Sequence, residues 1–338
     1  FTGFLQSNIA LDDSNRTYLS AGVRFHYWDV NNQWVTSPRI TLARKPRWTR
    51  NVVLRLSAGL YYQPPFYREI RDPQGVLYPN TKAQASYQFV AGADMDFTAW
   101  NRPFKFTTEA YYKKMDNLIP YEVDNVRIKY LPQLSAQGYA AGIDFKVNGE
   151  FVKGVESWAS LSLMKTEEDI IGDSYYKYFN SDGQEVIAGY TTNNVITDSL
   201  QIFPGSIPRP SDQRFTFNLF FQDYLPGNPT YKMHLNLVYG SSLPFGPPNS
   251  QKYQQTLRIP PYRRVDIGFS KLIKSSQYPG NNWLKHIETI WITAEVFNLF
   301  QFHNTISYLW VTDVSNRKYA IPNYLTPRQL NIKIQVNF

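Results

Sequence analysis

At 338 residues the chain has room for one large β architecture or for two ordinary domains. Aromatic residues make up 16% of it, cysteine is absent, and no stretch approaches the ~18 consecutive apolar residues of a spanning helix; a disulfide scaffold, a thiolate metal site and a helical membrane protein are thereby excluded. The net charge of +8 points to anionic partners, but Lys and Arg are scattered, with no run longer than the pair Arg263-Arg264, so the clustered patch of a nucleic-acid binder is missing.

Residues 1–11 alternate as a strand, and the polar run Asp12-Asp13-Ser14-Asn15 turns it. The chain opens on Phe1-Thr2-Gly3 without an initiator Met or an export signal, so a removed signal or a missing upstream piece is expected. From Thr17 to Val30, Leu19, Ala21, Val23, Phe25 and Tyr27 oppose Ser20, Gly22, Arg24 and His26. After 31–33 a third strand runs to about Pro46, and Arg47-Trp48-Thr49-Arg50 leads into a fourth over 52–63. A Pro-rich connection, 64–81, precedes a fifth strand from Lys82, in which Tyr87, Phe89, Ala91, Ala93, Met95 and Phe97 share a face. Pro103 fixes φ and cannot continue a central strand, which makes Trp100-Asn101-Arg102-Pro103 a tight turn before 104–115 runs back. Further strands are expected at 138–147, 155–166, 213–224, 231–239, 262–273 and 289–302, with a closing strand over 329–338. In that last one Leu330, Ile332, Ile334, Val336 and Phe338 all point one way, because successive side chains of a strand face opposite sides. No helical period of useful length appears.

The connections sort by length. Those at 12–16, 47–50, 100–103, 148–154, 226–230 and 275–287 are compact, while 64–81, 116–136, 167–212, 240–261 and 303–327 are long; only 31–33 breaks the rhythm. Short turns on one rim and long loops on the other is the layout of an outer-membrane barrel. Thirteen antiparallel strands then cross the membrane, apolar residues toward lipid and polar ones toward a hydrated lumen. Tyr61, Tyr62, Tyr111, Tyr112, Tyr239, Phe300 and Phe302 at strand ends, with Trp48 and Trp100 in short turns, occupy the places of aromatic girdles. If the closing strand ends at the periplasmic rim, the long loops are extracellular and the first strand descends from outside. A single-chain barrel of even strand count starts inside, so part of the barrel is expected upstream.

Ser37-Pro38-Arg39-Ile40, Ala58-Gly59-Leu60-Tyr61-Tyr62-Gln63-Pro64-Pro65, Arg264-Val265-Asp266-Ile267-Gly268, Ala294-Glu295-Val296-Phe297-Asn298-Leu299-Phe300 and the ending Tyr324-Leu325-Thr326-Pro327-Arg328 before the alternating strand resemble late-barrel segments of TonB-dependent outer-membrane receptors, in a style similar to those of Bacteroidetes. The resemblance implies a 22-stranded barrel with a plugged lumen, of which this chain is a single C-terminal barrel domain over 1–338 without the plug and early strands. It implies energised import through TonB–ExbB–ExbD, contact with lipopolysaccharide and outer-membrane lipid, and association in some members with a surface lipoprotein. It also implies that Ile334, Val336 and Phe338 form the terminal signal read by the barrel-assembly machinery; a lipid-facing rim aromatic is the compatible plain reading of Phe338.

Ligand candidates are the loop aromatics Tyr175, Tyr176, Tyr178, Phe179, Tyr308 and Trp310, whose faces stack on sugars, haem or aromatic siderophores. Loop packing or an outer girdle is the alternative for each. Arg209, Arg214, Arg263, Arg264, Arg317 and Arg328 would steer an anionic ligand, or pair with lipopolysaccharide phosphate or lumen carboxylates. Asp94 and Asp96 share one face and are expected to pair with a lumen Arg or Lys rather than to do acid–base work. Glu167, Glu168, Asp169 and Asp173 form an acidic cluster with oxygen ligands suited to Ca²⁺, though a solvated cluster is the simpler reading. His26, His234, His286 and His303 have no partner at metal-ligand spacing, and no Gly-x-Ser-x-Gly elbow or phosphate loop occurs. No enzymatic activity or cofactor is expected. The expected function is a receptor and transporter; the alternatives are a passive outer-membrane porin and a structural or secretion-associated barrel component.

Overall fold

The computed structural model describes residues 1–187, 190–225, 227–247, 250–275, 286–314 and 317–338. The first six strands, β1 (Thr2–Ala10), β2 (Thr17–Trp28), β3 (Gln33–Arg44), β4 (Asn51–Gln63), β5 (Gln84–Ala99) and β6 (Arg102–Leu118), are joined as an antiparallel meander. A small hairpin, β7 (Tyr121–Asp124) and β8 (Arg127–Tyr130), precedes the long strands β9 (Ala136–Val152) and β10 (Val155–Ile170). A second hairpin, β11 (Tyr175–Asn180) and β12 (Ile196–Ile202), and the two-residue β13 (Ile207–Pro208) lead to β14 (Phe215–Leu225) and β15 (Asn228–Gly240). Then come β16 (Pro244–Phe245), β17 (Leu257–Arg258), β18 (Tyr262–Ser275), β19 (Thr289–Phe297), a third hairpin β20 (Thr305–Thr312) and β21 (Lys318–Tyr324), and the closing β22 (Gln329–Asn337).

One continuous sheet forms the wall, in the order β1-β2-β3-β4-β5-β6-β9-β10-β14-β15-β18-β19-β22, with β13 appended to β10. These are the thirteen strands expected from the alternation. Their register keeps the two faces chemically distinct. Leu42, Leu56, Ala91, Ala110, Ile143, Leu163 and Phe215 lie opposite one another across seven consecutive strands on the outer face. Near the other end Ile267, Val296 and Leu330 continue the apolar face, and Leu330 is 82% exposed. The inner face carries Arg55, Gly92, Glu109 and Asp144 as one row, and Ser270, Thr293 and Lys333 as another. A one-residue slip would exchange the faces wholesale, so the register is tightly specified. Glycines on the inner face make room for rings: the Tyr111 side chain lies against Gly142, and the His234 ring lies over Gly268, where a Cβ has no space.

Three expectations need correction. The penultimate strand stops at Phe297 rather than 302, because Asn298 turns the chain with φ 51° and its side chain bonds Phe302. The long connections are not featureless: four two-stranded hairpins form within them, since each closes its own backbone hydrogen bonds locally. The girdle assignment also divides, because adjacent residues face opposite sides. Tyr62 and Tyr112 lie on the outer face with Ala85 and Ala141, whereas Tyr61 and Tyr111 turn inward. Trp48 and Trp100 are exposed at the short-turn rim as expected. Of the medium turn at 275–287, residues 276–285 lie outside the described residues, as does Pro226 of the turn at 226–230.

Candidate functional site: the loop-covered mouth

The long-loop rim is held by side chains that leave the wall and meet above it. Loop 298–328 starts from a corner that explains two of the sequence segments singled out above. Asp266 on β18 accepts the Asn298 amide at 2.8 Å and both bonds of the Arg264 Nε at 2.7 and 3.0 Å. Asn304 closes the same corner by exchanging bonds with the backbone of Arg263 at 2.8 and 2.7 Å. Asp266 and Asn298 are buried, so these contacts replace water completely.

Between the other loops lies a buried ionic cluster. Glu168, at the top of β10 and 0% exposed, takes a hydrogen bond from Arg209 at 3.1 Å. Lys252, 7% exposed, places its Nζ 3.7 Å from the second Glu168 oxygen and donates to the Tyr121 carbonyl at 2.6 Å. Burial pushes the Lys252 amine below its ordinary range, against the pull of Glu168 and Glu122. Asp212, also fully buried, accepts from the Thr166 amide at 2.9 Å, from Arg214 at 2.7 Å and from Arg258. Burial alone would raise this carboxyl; the Thr166 amide and the two arginines overcome it and hold it low.

Aromatic contacts complete the mouth. Tyr175 stacks on Tyr253 with ring centroids 4.2 Å apart, and Phe245 stacks on Tyr308 at 4.6 Å with Trp310 at 6.3 Å. Tyr176 and Tyr178 share the opposite face of the β11–β12 hairpin, 6.4 Å apart and 52% and 43% exposed, beside Gln201 and Ser199. Phe179 pairs with Asp198 on the face that Tyr175 occupies.

The candidate residues therefore divide by placement. Tyr176 and Tyr178 present open ring faces; Tyr175, Tyr308 and Trp310 are engaged with rings of loop 241–261. Arg209, Arg214 and Arg264 are committed to carboxylates, whereas Arg263, Arg317 and Arg328 are exposed. Asp94 is paired as expected, bonded by Arg55 and by Thr107 at 2.9 Å, and Asp96 accepts from Asn51 at 2.8 Å. The acidic cluster divides: Glu168 is buried and Glu167 takes Lys165 at 2.8 Å and Tyr139 at 2.7 Å, whereas Asp169 is exposed to solvent as expected. Among the described residues no group of three metal-ligating side chains forms. Ile334 and Phe338 lie exposed at the closing edge. Lys252, Tyr253, Phe245, Asn125 and Asn323 carried no sequence signal, since each acts through a residue far away in the chain.

A family model described as "TonB dependent receptor-like, beta-barrel" matches residues 1–299. No curated protein matches the chain. Among solved structures, the siderophore receptor PiuA from Acinetobacter baumannii is similar with a TM-score of 0.62 and 13% identity, over 98% of this chain and 42% of that one. The ferric-catecholate import receptor Fiu from E. coli K12 gives 0.60 and 11%, over 98% and 43%. The copper transporter OprC gives 0.60 and 11%, over 100% and 47%. At these identities the likeness is one of fold, and the chain spans less than half the length of each of these structures.

Proposed function

This chain belongs to the TonB dependent receptor-like β-barrel family, and from that membership we propose that it is the C-terminal part of an outer-membrane receptor that captures a scarce substrate and imports it with TonB-supplied energy. The thirteen-strand wall continues into earlier strands of a larger barrel, and the plug through which TonB–ExbB–ExbD acts belongs to the rest of the receptor. The long-loop rim faces outward, and the outer face meets lipid and lipopolysaccharide. The barrel-assembly machinery reads Ile334, Val336 and Phe338, and a surface lipoprotein is a further partner at the mouth.

The observation that carries this reading is the sorting of long loops to one rim, where they meet one another above a polar inner face. A passive channel gains nothing from closing its own mouth. Tyr176 and Tyr178, with Gln201 and Ser199 beside them, offer flat rings and neutral polar groups to a ligand. The siderophore named for PiuA and the ferric-catecholate named for Fiu are the first classes to test on this chain.

The experiment replaces the Tyr175–Ile202 hairpin by a short Gly-Ser turn and measures uptake of a panel of radiolabelled ferric siderophores in whole cells. Uptake of the cognate chelate is lost while heat-modifiability of the barrel is retained. Unchanged uptake removes the hairpin from the site. Uptake that persists after collapse of the proton gradient favours the porin.

A further inference from the structure

Several arginines of this chain are bound to carboxylates: Arg55 to Asp94, Arg209 to Glu168, Arg214 to Asp212 and Arg264 to Asp266. A second set is not, and it gathers at the two adjoining short turns, 11–16 and 45–50. The backbone links these turns, the Lys45 amide donating to the Arg16 carbonyl at 2.8 Å. With the end of β3 they carry Arg16, Arg44, Lys45, Arg47 and Arg50 against Asp12 and Asp13. Asp12 is occupied within its own turn by the Arg16 and Thr17 amides, at 2.6 and 3.3 Å. Arg44, Lys45, Arg47 and Arg50 are exposed, and among the described residues none of them forms an ion pair.

Arg44 is also the last residue on the outer face of β3. It lies opposite Leu54, and two residues up the same face Leu42 lies opposite Leu56. From there a groove of about 650 Å³ runs over β4, β5 and β6. Its floor is Ala58, Ala91 and Ala110, set between the larger side chains of Leu42, Leu56 and Phe89. From Arg44 to Ile40, which also lines the groove, β3 rises about 14 Å, close to half of the ~25 Å apolar band of an outer-membrane barrel. Charge and groove are therefore contiguous, with cations at the foot and a bare apolar channel above them. Trp48, 61% exposed, stands in the same turn, where an interfacial aromatic belongs.

We propose that the outer face of β3–β6, with the turns at 11–16 and 45–50, is a site for an anionic phospholipid of the periplasmic leaflet. It rests on the reading of the outer face as lipid-facing and of the short-turn rim as periplasmic, and not on any assignment of cargo or energy source. Arg44 and Arg47 take the phosphate, whose oxygens match the planar guanidinium fork, and the groove takes one acyl chain. Charge makes the selection, because a zwitterionic headgroup sets its own ammonium against the exposed cations. Lipopolysaccharide offers the same phosphate-and-acyl chemistry but belongs to the opposite leaflet, at the long-loop rim. The patch is local: at the β9–β10 turn of the same rim Lys153 stands between Glu150 and Glu156.

The test uses the receptor as its own gene encodes it, purified in detergent, delipidated and titrated with dioleoyl-phosphatidylglycerol or dioleoyl-phosphatidylcholine while native mass spectra count the bound lipid. Phosphatidylglycerol is retained in preference to phosphatidylcholine. Arg44→Gln and Arg47→Gln each lower its affinity roughly fivefold, the factor for one basic residue at an anionic lipid surface, and leave phosphatidylcholine unchanged. Ala91→Phe, which fills the groove, weakens the dioleoyl form but not dihexanoyl-phosphatidylglycerol, whose chains are too short to need it. Lys153→Gln changes nothing, and heat-modifiability is the same in every variant. Equal retention of the two lipids overturns the proposal, as does a loss in Lys153→Gln equal to that in Arg44→Gln. Tighter retention of lipid A that depends on Arg44 and Arg47 overturns it too, by giving the site to the other leaflet. A barrel that does not reconstitute into lipid at all overturns the lipid-facing reading along with it, so the two failures are told apart.

Discussion

Asp266→Ala probes the corner on which loop 298–328 is built. The carboxylate is buried and accepts the Asn298 amide at 2.8 Å, the Arg264 Nε at 2.7 and 3.0 Å, and the Asn236 amide at 3.4 Å. Alanine leaves the Asn298 N–H buried without an acceptor, which costs about 1–3 kcal/mol. Arg264 is 35% exposed, so its guanidinium recovers water and the lost ion pair adds no more than about 1 kcal/mol. The expected loss is about 1–4 kcal/mol. Asp266→Asn keeps an acceptor oxygen for the Asn298 amide and gives up the charge, for roughly half of that. The measurement is urea unfolding of the purified receptor in detergent, followed by heat-modifiability, comparing midpoints at constant slope. The order is parent, Asn variant, Ala variant. An Ala variant within about 0.5 kcal/mol of the parent would show that strand pairing alone holds the loop entry and that the corner is incidental.

Ile332→Arg, on the apolar face opposite Ala294, destabilises the barrel by about 2–4 kcal/mol and impairs assembly. Asn331→Arg, inward-facing and next to Glu295, is nearly neutral, and equal tolerance of the two in a heat-modifiability assay refutes the assignment of faces. The loop contacts around Asp212 depend on acid. Its folded pKa is held below the ordinary 3.8, so its contribution is complete above that value and is lost as pH falls through the lowered one. Hydrogen exchange across 209–214 therefore accelerates as pH is taken below about 4, and Arg258→Gln weakens that dependence; a pH-independent profile shows that the cluster does not hold the loops.

Much of the wall was legible from the chain alone. Alternation in β2, β4, β5 and β22 needs no long-range information, because strand geometry sends neighbouring side chains to opposite faces whatever the partner strand is. Loop lengths were equally visible, and with them the two rims. The pairing of Asp94 with a basic side chain followed from the same periodicity, since the residue had to face inward among polar groups. Strand ends were less legible: β19 stops at a positive-φ asparagine that reads, in sequence, like the continuation of an apolar run.

The mouth was not legible. Glu168 looked like one member of a solvated acidic run and is buried against Arg209 and Lys252; Lys252 looked like an isolated lysine in a Pro-rich loop. Asn125 meets Asn323 across 198 positions of chain. Strand identity and facing are set by residues one and two apart, so the sequence by itself determined the wall. Which loop touches which depends on where closure of the sheet carries their ends, and only the tertiary structure decided that, because burial and charge pairing are properties of neighbours in space.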